Sequence, residues 1–221
     1  TRGEFDMENC QRVFRELVGE SVDDFMQLDL PDRLPEEFRL IPPAKYILYA
    51  DPFMGVFDWH MRSEMEGKYK DFAARLAAKA DMKEYGYVFR TLSDLCGFLA
   101  VKCTLGVHTR ELYRKGDKKA LRALAEKDYT AASEALAQFY DSFEAQWRTE
   151  SKENGFEAID VRIGGQAARL KHCKKMLLDY CDGKISKIEP LEEEILPVHP
   201  GSEKGSDLSY NNWLQSAIIN S

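Results

Sequence analysis

Apolar residues recur every three to four positions along almost the whole chain, and no stretch shows a sustained strand-like alternation. Met7, Cys10, Val13, Phe14, Leu17 and Val18 define one face of a first helix, with Asp6 placed to cap its start and Gly19 past its end. Ser21, followed by Asp24, opens a short helical turn expected to point Phe25 and Met26 inward. Pro31, Pro35 and the pair beginning at Pro42 then break regularity, so residues 30–43 read as a connector.

The body beyond reads as long helices. Tyr69, Phe72, Ala73, Leu76, Ala77 and Ala80 share one face. Val88, Leu92, Leu95, Cys96, Leu99 and Cys103 continue the pattern on a second helix, expected to run to Lys115 before Gly116. Asp117 predicts the N-cap of a third helix carrying Leu121, Leu124 and Ala125. Ala132, Leu136, Phe139, Tyr140, Phe143 and Trp147 predict a fourth. After a break near Asn154 and Gly155, a fifth carries Ala167, Leu170, Cys173, Leu177, Leu178 and Cys181 and stops at Gly183. Short connections make such helices antiparallel neighbours, so the fold class is all-α: an antiparallel bundle of about five or six long helices with irregular connectors.

The expected organisation has three parts: a connector with short helices over 1–44, the helical bundle over 45–197, and a linker and tail over 198–221. Residues 200–209 are polar and Gly/Ser-rich, as a linker is. Trp213, Leu214, Ile218 and Ile219 then return to apolar character, and such a tail is expected to dock on its own domain or on a partner.

Composition narrows the function. Of 221 residues, 31 are Lys or Arg and 38 are Asp or Glu, and the net charge of −7 counts against nucleic-acid binding. The 44% hydrophobic content supplies a core and excludes wholesale disorder. The densest apolar run, Leu95 to Val101, stops at Lys102 and falls far short of the roughly 20 residues of a membrane span. The chain opens on Thr1 and a charged stretch without a signal peptide, which is read as a cut from a longer polypeptide. Five cysteines, an odd number, fit small buried hydrophobes in a reducing compartment better than a disulfide framework, so the location expected is cytoplasmic.

No familiar catalytic or metal motif is present. Zinc would want CxxC pairs or histidine at i+3 or i+4 to a cysteine, and neither occurs. Gly164 and Gly165 lack the lysine of a phosphate loop, and there is no GxSxG elbow or HExxH pair. His60, His108, His172 and His199 have no Ser or Cys partner by spacing. No cofactor and no metal are expected.

Two stretches instead mix charge and aromatic residues in a way that interrupts the helical rhythm: KYILYADPFMGVFDWH at 45–60 and ENGFEAIDVRIGG at 153–165. Charges set in apolar runs must be paired or face water. One reading is a salt bridge, such as Glu157 or Asp160 to an arginine, orienting a non-helical connector. The other is a contact surface for a ligand or neighbouring domain, with Trp59 as aromatic anchor.

These two strings, with LCGFLAVKCTLG at 95–106 between them, resemble the C-terminal helical domain of a bacterial subgroup of family 20 glycoside hydrolases, the β-N-acetylhexosaminidases related to the streptococcal N-acetylglucosaminidase. The resemblance spans roughly residues 10–196. It is carried by Lys45, Tyr46, Leu48, Tyr49, Asp51, Pro52, Gly55, Phe57 and Asp58, then by Gly155, Phe156, Glu157, Asp160, Arg162, Gly164 and Gly165. In that family the substrate's 2-acetamido oxygen attacks the anomeric carbon, an Asp orients the acetamido group and the adjacent Glu is the general acid. This sequence contains no Asp-Glu dipeptide, and a catalytic barrel needs about 250 residues on its own. No catalytic residue can therefore be assigned here.

The resemblance implies a non-catalytic accessory domain, inactive alone. Its parent would be a substrate-assisted, retaining β-N-acetylhexosaminidase that removes terminal N-acetylhexosamine residues. The implied partners are the catalytic barrel of the same polypeptide and a second copy in a homodimer, with glycan reached only through the parent. Asp58, Trp59, Glu157, Asp160 and Arg162 are the candidates for the surface that meets the barrel, the partner subunit or the substrate groove. The alternative is a free-standing, all-helical protein–protein interaction module.

Overall fold

The computed structural model describes residues 6–35 and 42–195. The expected linker and apolar tail at 198–221 lie outside them, as does the middle of the proline-rich connector. Among the described residues there are helices and turns and no strand, as the apolar period required.

Two small helices lead in. Helix α1, Met7–Val18, starts where the Asp6 carboxylate accepts the Asn9 amide at 3.0 Å, and ends at Gly19 with φ 79°. Helix α2, Val22–Phe25, is capped by the Ser21 hydroxyl. Phe25 turns inward against Tyr85 and Phe89, but Met26 points to solvent, contrary to expectation. A single helical turn can bury only one side, and Phe25 occupies it. Helix α3, Pro43–Tyr49, begins on a proline whose missing N–H costs nothing at the first helical position.

The body is a row of packed helices: α4, Glu64–Ala77; α5, Gly86–Lys102; α6, Leu105–Arg114; α7, Lys118–Glu150; and α8, Glu157–Cys181. Helix α5 lies between α4 and α7, and α7 lies between α5 and α8, with α6 also against α7. The neighbours run antiparallel. Thr91 donates to the Ser142 carbonyl at 3.1 Å and Gln138 to Asp94 at 2.7 Å, so α7 descends as α5 rises. Lys174 meets Thr130 at 2.7 Å and Tyr140 meets Asp160 at 2.6 Å, which gives the same sense for α7 and α8. A short helix, α9, Glu189–Glu192, closes against α6. The core between these elements holds Tyr69, Phe89, Phe98, Leu121, Tyr129 and Leu170, all fully buried.

Three boundaries differ from expectation. The helix expected to run from Val88 to Lys115 breaks at Cys103 and Thr104, which separates α5 from α6. Both pieces keep an apolar face, so the interruption leaves no mark on the period. The two helices expected over 118–147 are one of 33 residues, Lys118–Glu150. It contains no Gly or Pro and is rich in strong helix formers, so nothing interrupts it. The non-helical connector expected over 153–165 is helical from Glu157 onward, with Gly164 and Gly165 inside α8. Ile163, Gln166 and Leu170 are buried on one face, and that burial outweighs the roughly 1 kcal/mol that each interior glycine costs.

Candidate functional site

The segment from Ala50 to His60 leaves the helical frame and is held by charged side chains reaching in from α5, α6 and α8. The Asp51 carboxylate accepts the amides of Phe53 at 2.8 Å and Met54 at 3.2 Å, folding the chain back at Pro52. The same carboxylate takes two bonds from Arg169 of α8, at 2.5 and 3.2 Å, and the guanidinium lies over the Phe53 ring. Lys102, the last residue of α5, donates to the Ala50 carbonyl. Arg110 of α6 donates to the Phe53 carbonyl at 2.5 Å, to Asp58 at 3.0 Å and to the Pro190 carbonyl at 3.4 Å. Gln166 of α8 holds the Leu48 carbonyl at 2.7 Å.

Small residues let these groups approach. Gly55, at φ 67°, sits directly beneath Arg110. Gly106, in the first turn of α6, faces the Pro52 carbonyl, which a Cβ would meet at 3.1 Å. The break after α5 thus serves the segment: it brings Gly106 and Arg110 onto residues 52–58 while Lys102 holds Ala50.

The electrostatics follow from burial. Asp58 is pushed above the usual carboxylate range by desolvation, against the pull of Arg110. Burial lowers the Lys102 ammonium to about 8, although Asp51 opposes the shift. The Cys96, Cys103 and Cys173 thiols are raised to about 12 by burial and are free. The carboxylates of Asp51 and Asp58 are already occupied by arginine, so this arrangement is built to fix a backbone rather than to move a proton. Among the described residues no three His, Cys, Asp or Glu side chains gather as a metal ion would need. Nor is any helix among them long and apolar enough to cross a membrane.

The predicted residues fall into two places. Asp58 and Trp59 occupy a short 3-10 turn, Asp58–His60, on the clamped segment, with Asp58 tied to Arg110 and Trp59 38% exposed. They line a groove of about 210 Å³ with Val107, Glu111, Arg114 and Ile195. Glu157, Asp160 and Arg162 stand exposed on the first turns of α8. Asp160 lines a separate, mainly apolar groove of about 300 Å³ with Leu136, Ala137, Tyr140, Ile163 and Gly164. Among the described residues neither pairs with an arginine: Glu157 instead accepts the Gly155 amide at 2.7 Å, and Asp160 accepts the Tyr140 hydroxyl. At the start of a helix both carboxylates already find donors and a favourable dipole.

Lys102, Arg110 and Arg169 were not among the predicted residues, and Asp51 was noted only as part of the string. Lys102 did leave a signal, since it is a charge ending the densest apolar run. Arg110 and Arg169 are single cations on amphipathic helices and look in sequence like ordinary solvated positions.

A family model described as Glycoside Hydrolase 20C C-terminal domain matches residues 23–209. A search of curated proteins finds no match.

Proposed function

Because this chain belongs to the family of glycoside hydrolase 20C C-terminal domains, we propose that it is the non-catalytic accessory domain of a β-N-acetylhexosaminidase, packing on the catalytic barrel of the same polypeptide and supporting a homodimer. The observation that carries this reading is the clamped segment. Residues 50–60 are fixed by Lys102, Arg110 and Arg169 while Met54 and Trp59 are held outward. A tryptophan 38% exposed on a fixed backbone beside Arg114 is the composition of an interface anchor, since little backbone freedom is lost when it docks. The subgroup proposed is the one related to the streptococcal N-acetylglucosaminidase, and the location proposed is cytoplasmic.

The test is Trp59→Ala in the full-length enzyme, followed by steady-state kinetics and sedimentation. Truncating an anchor costs about 2 kcal/mol or more, so assembly should weaken roughly 30-fold or kcat/KM should fall several-fold. Kinetics and mass both unchanged would reject the role of this surface.

A further inference from the structure

The clamp encloses a second, much smaller site. Lys102 is 4% exposed, so its ammonium must place its donors without bulk water. One goes to the Ala50 carbonyl. Asp51 and Asp58 both act on the charge through space, but among the described residues their ion pairs are with Arg169 and Arg110. A buried ammonium with donors to spare is costly unless something accepts from it.

Beside this side chain lies an internal cavity of about 20 Å³, lined in part by Lys102, Asp51, Pro52, Asp58 and Gly106. Gly106 keeps the space open. A Cβ there would stand 3.1 Å from the Pro52 carbonyl oxygen and 3.6 Å from Asp58 Oδ1, so both oxygens face the same stretch of α6. Arg110 takes the other Asp58 oxygen, Oδ2, at 3.0 Å. Asp51 is already filled, by Arg169 and by the amides of Phe53 and Met54. The lining therefore supplies a cationic donor and two acceptor oxygens.

Size and chemistry decide what such a cavity holds. Roughly 10–15 Å³ of this kind of space takes one water, and a buried water needs about two to four polar partners. An organic molecule is too large. A cation is opposed by Lys102 and Arg110, and an anion by Asp51 and Asp58. A water both accepts and donates, so it can join a lysine to a carboxylate and a carbonyl. We propose that this cavity is a binding site for one ordered water, which accepts a hydrogen bond from Lys102 Nζ and donates to Asp58 Oδ1 and the Pro52 carbonyl. The water ties the end of α5 to the start of α6 and to the clamped segment from within. It is independent of what the outer surface of that segment meets, so it stands or falls separately from the proposed function.

The experiment is a crystal structure of the 221-residue chain, with water relaxation dispersion by nuclear magnetic resonance, which counts long-lived internal waters, on the native chain and Lys102→Met. Density for a water should lie about 2.7–3.2 Å from Lys102 Nζ and from Asp58 Oδ1 or the Pro52 oxygen. The relaxation signal should fall in Lys102→Met by the equivalent of about one water. A well-ordered clamp with no density in the cavity overturns the proposal, as does a peak heavy enough to be an ion. So does a folded Lys102→Met that keeps the full signal. Should that variant fail to fold, Gly106→Ala replaces it: its methyl takes the same space, and the same loss is expected.

Discussion

A methyl group added at Gly55 would lie 2.3 Å from Arg110 Nη2, at a backbone φ of 67° that side chains rarely adopt. Two costs therefore coincide at one position, and Arg110 cannot simply swing aside because it also holds Phe53, Asp58 and Pro190. Gly55→Val is expected to destabilise the domain by about 3 kcal/mol or more, read from chemical denaturation. An effect below about 1 kcal/mol would mean that Arg110 is less committed to the segment than its bonds indicate. Trp59 behaves differently. Its neighbours set its position, but its ring contributes to an outer surface, so the expected loss on truncation is in assembly or activity and not in folding.

At the scale of elements, the apolar period located α1, α4 and the second half of α8: α4 and α8 bury one face, and α1, with no buried residue, keeps its apolar residues on one side between two caps. It failed where tertiary contact decides. Cys103 and Thr104 carry no breaker, yet the helix is interrupted there, where Gly106 and Arg110 of α6 are set against residues 52–58. Conversely, Gly164 and Gly165 look like breakers but sit inside α8, held by Ile163 and Gln166. The site was partly legible for the same reason. The string containing Asp51, Gly55 and Asp58 was visible as local chemistry, whereas the cations that grip it come from 52 to 118 residues away. Pairings at that separation leave no local signature. Gly164 also offers a direct test: nothing lies within 4 Å of where its Cβ would be. Gly164→Ala in the 221-residue chain should therefore stabilise by about 0.5–1 kcal/mol through helix propensity alone, seen as a raised denaturation midpoint. A loss of stability would mean that the groove between α7 and α8 has no room to spare.

For the whole molecule, the buried lysine links the clamp to pH. Lys102 titrates near 8 when folded and near 10.5 when unfolded, so between those values the unfolded chain holds a proton that the folded chain has released. The Lys102 contribution to stability should consequently rise with pH from about 8, by at most about 3 kcal/mol over the full window. The three buried thiols act the other way from about pH 9, and Tyr69 and Tyr129 from about pH 10, because the fold keeps protons there that the unfolded chain sheds, so the stability of the whole chain falls as pH rises past about 9. Denaturation of the native chain and Lys102→Met across pH 7.5–10, a comparison in which the thiols and tyrosines cancel, should show the native chain gaining stability relative to the variant as pH rises; parallel curves would place the ammonium in bulk water.

The three buried thiols carry a further meaning. Cys96 belongs to α5, Cys103 caps its end and Cys173 belongs to α8, so together they report on two of the packed helices. Held near 12 and away from solvent, they are slow to react with an alkylating reagent until the helices around them part. Cys10 and Cys181 are only half-buried and so are reached first, although burial also raises the Cys181 thiol. The order in which the five sulfurs become labelled is thus a built-in clock, recording the sequence in which the bundle comes open.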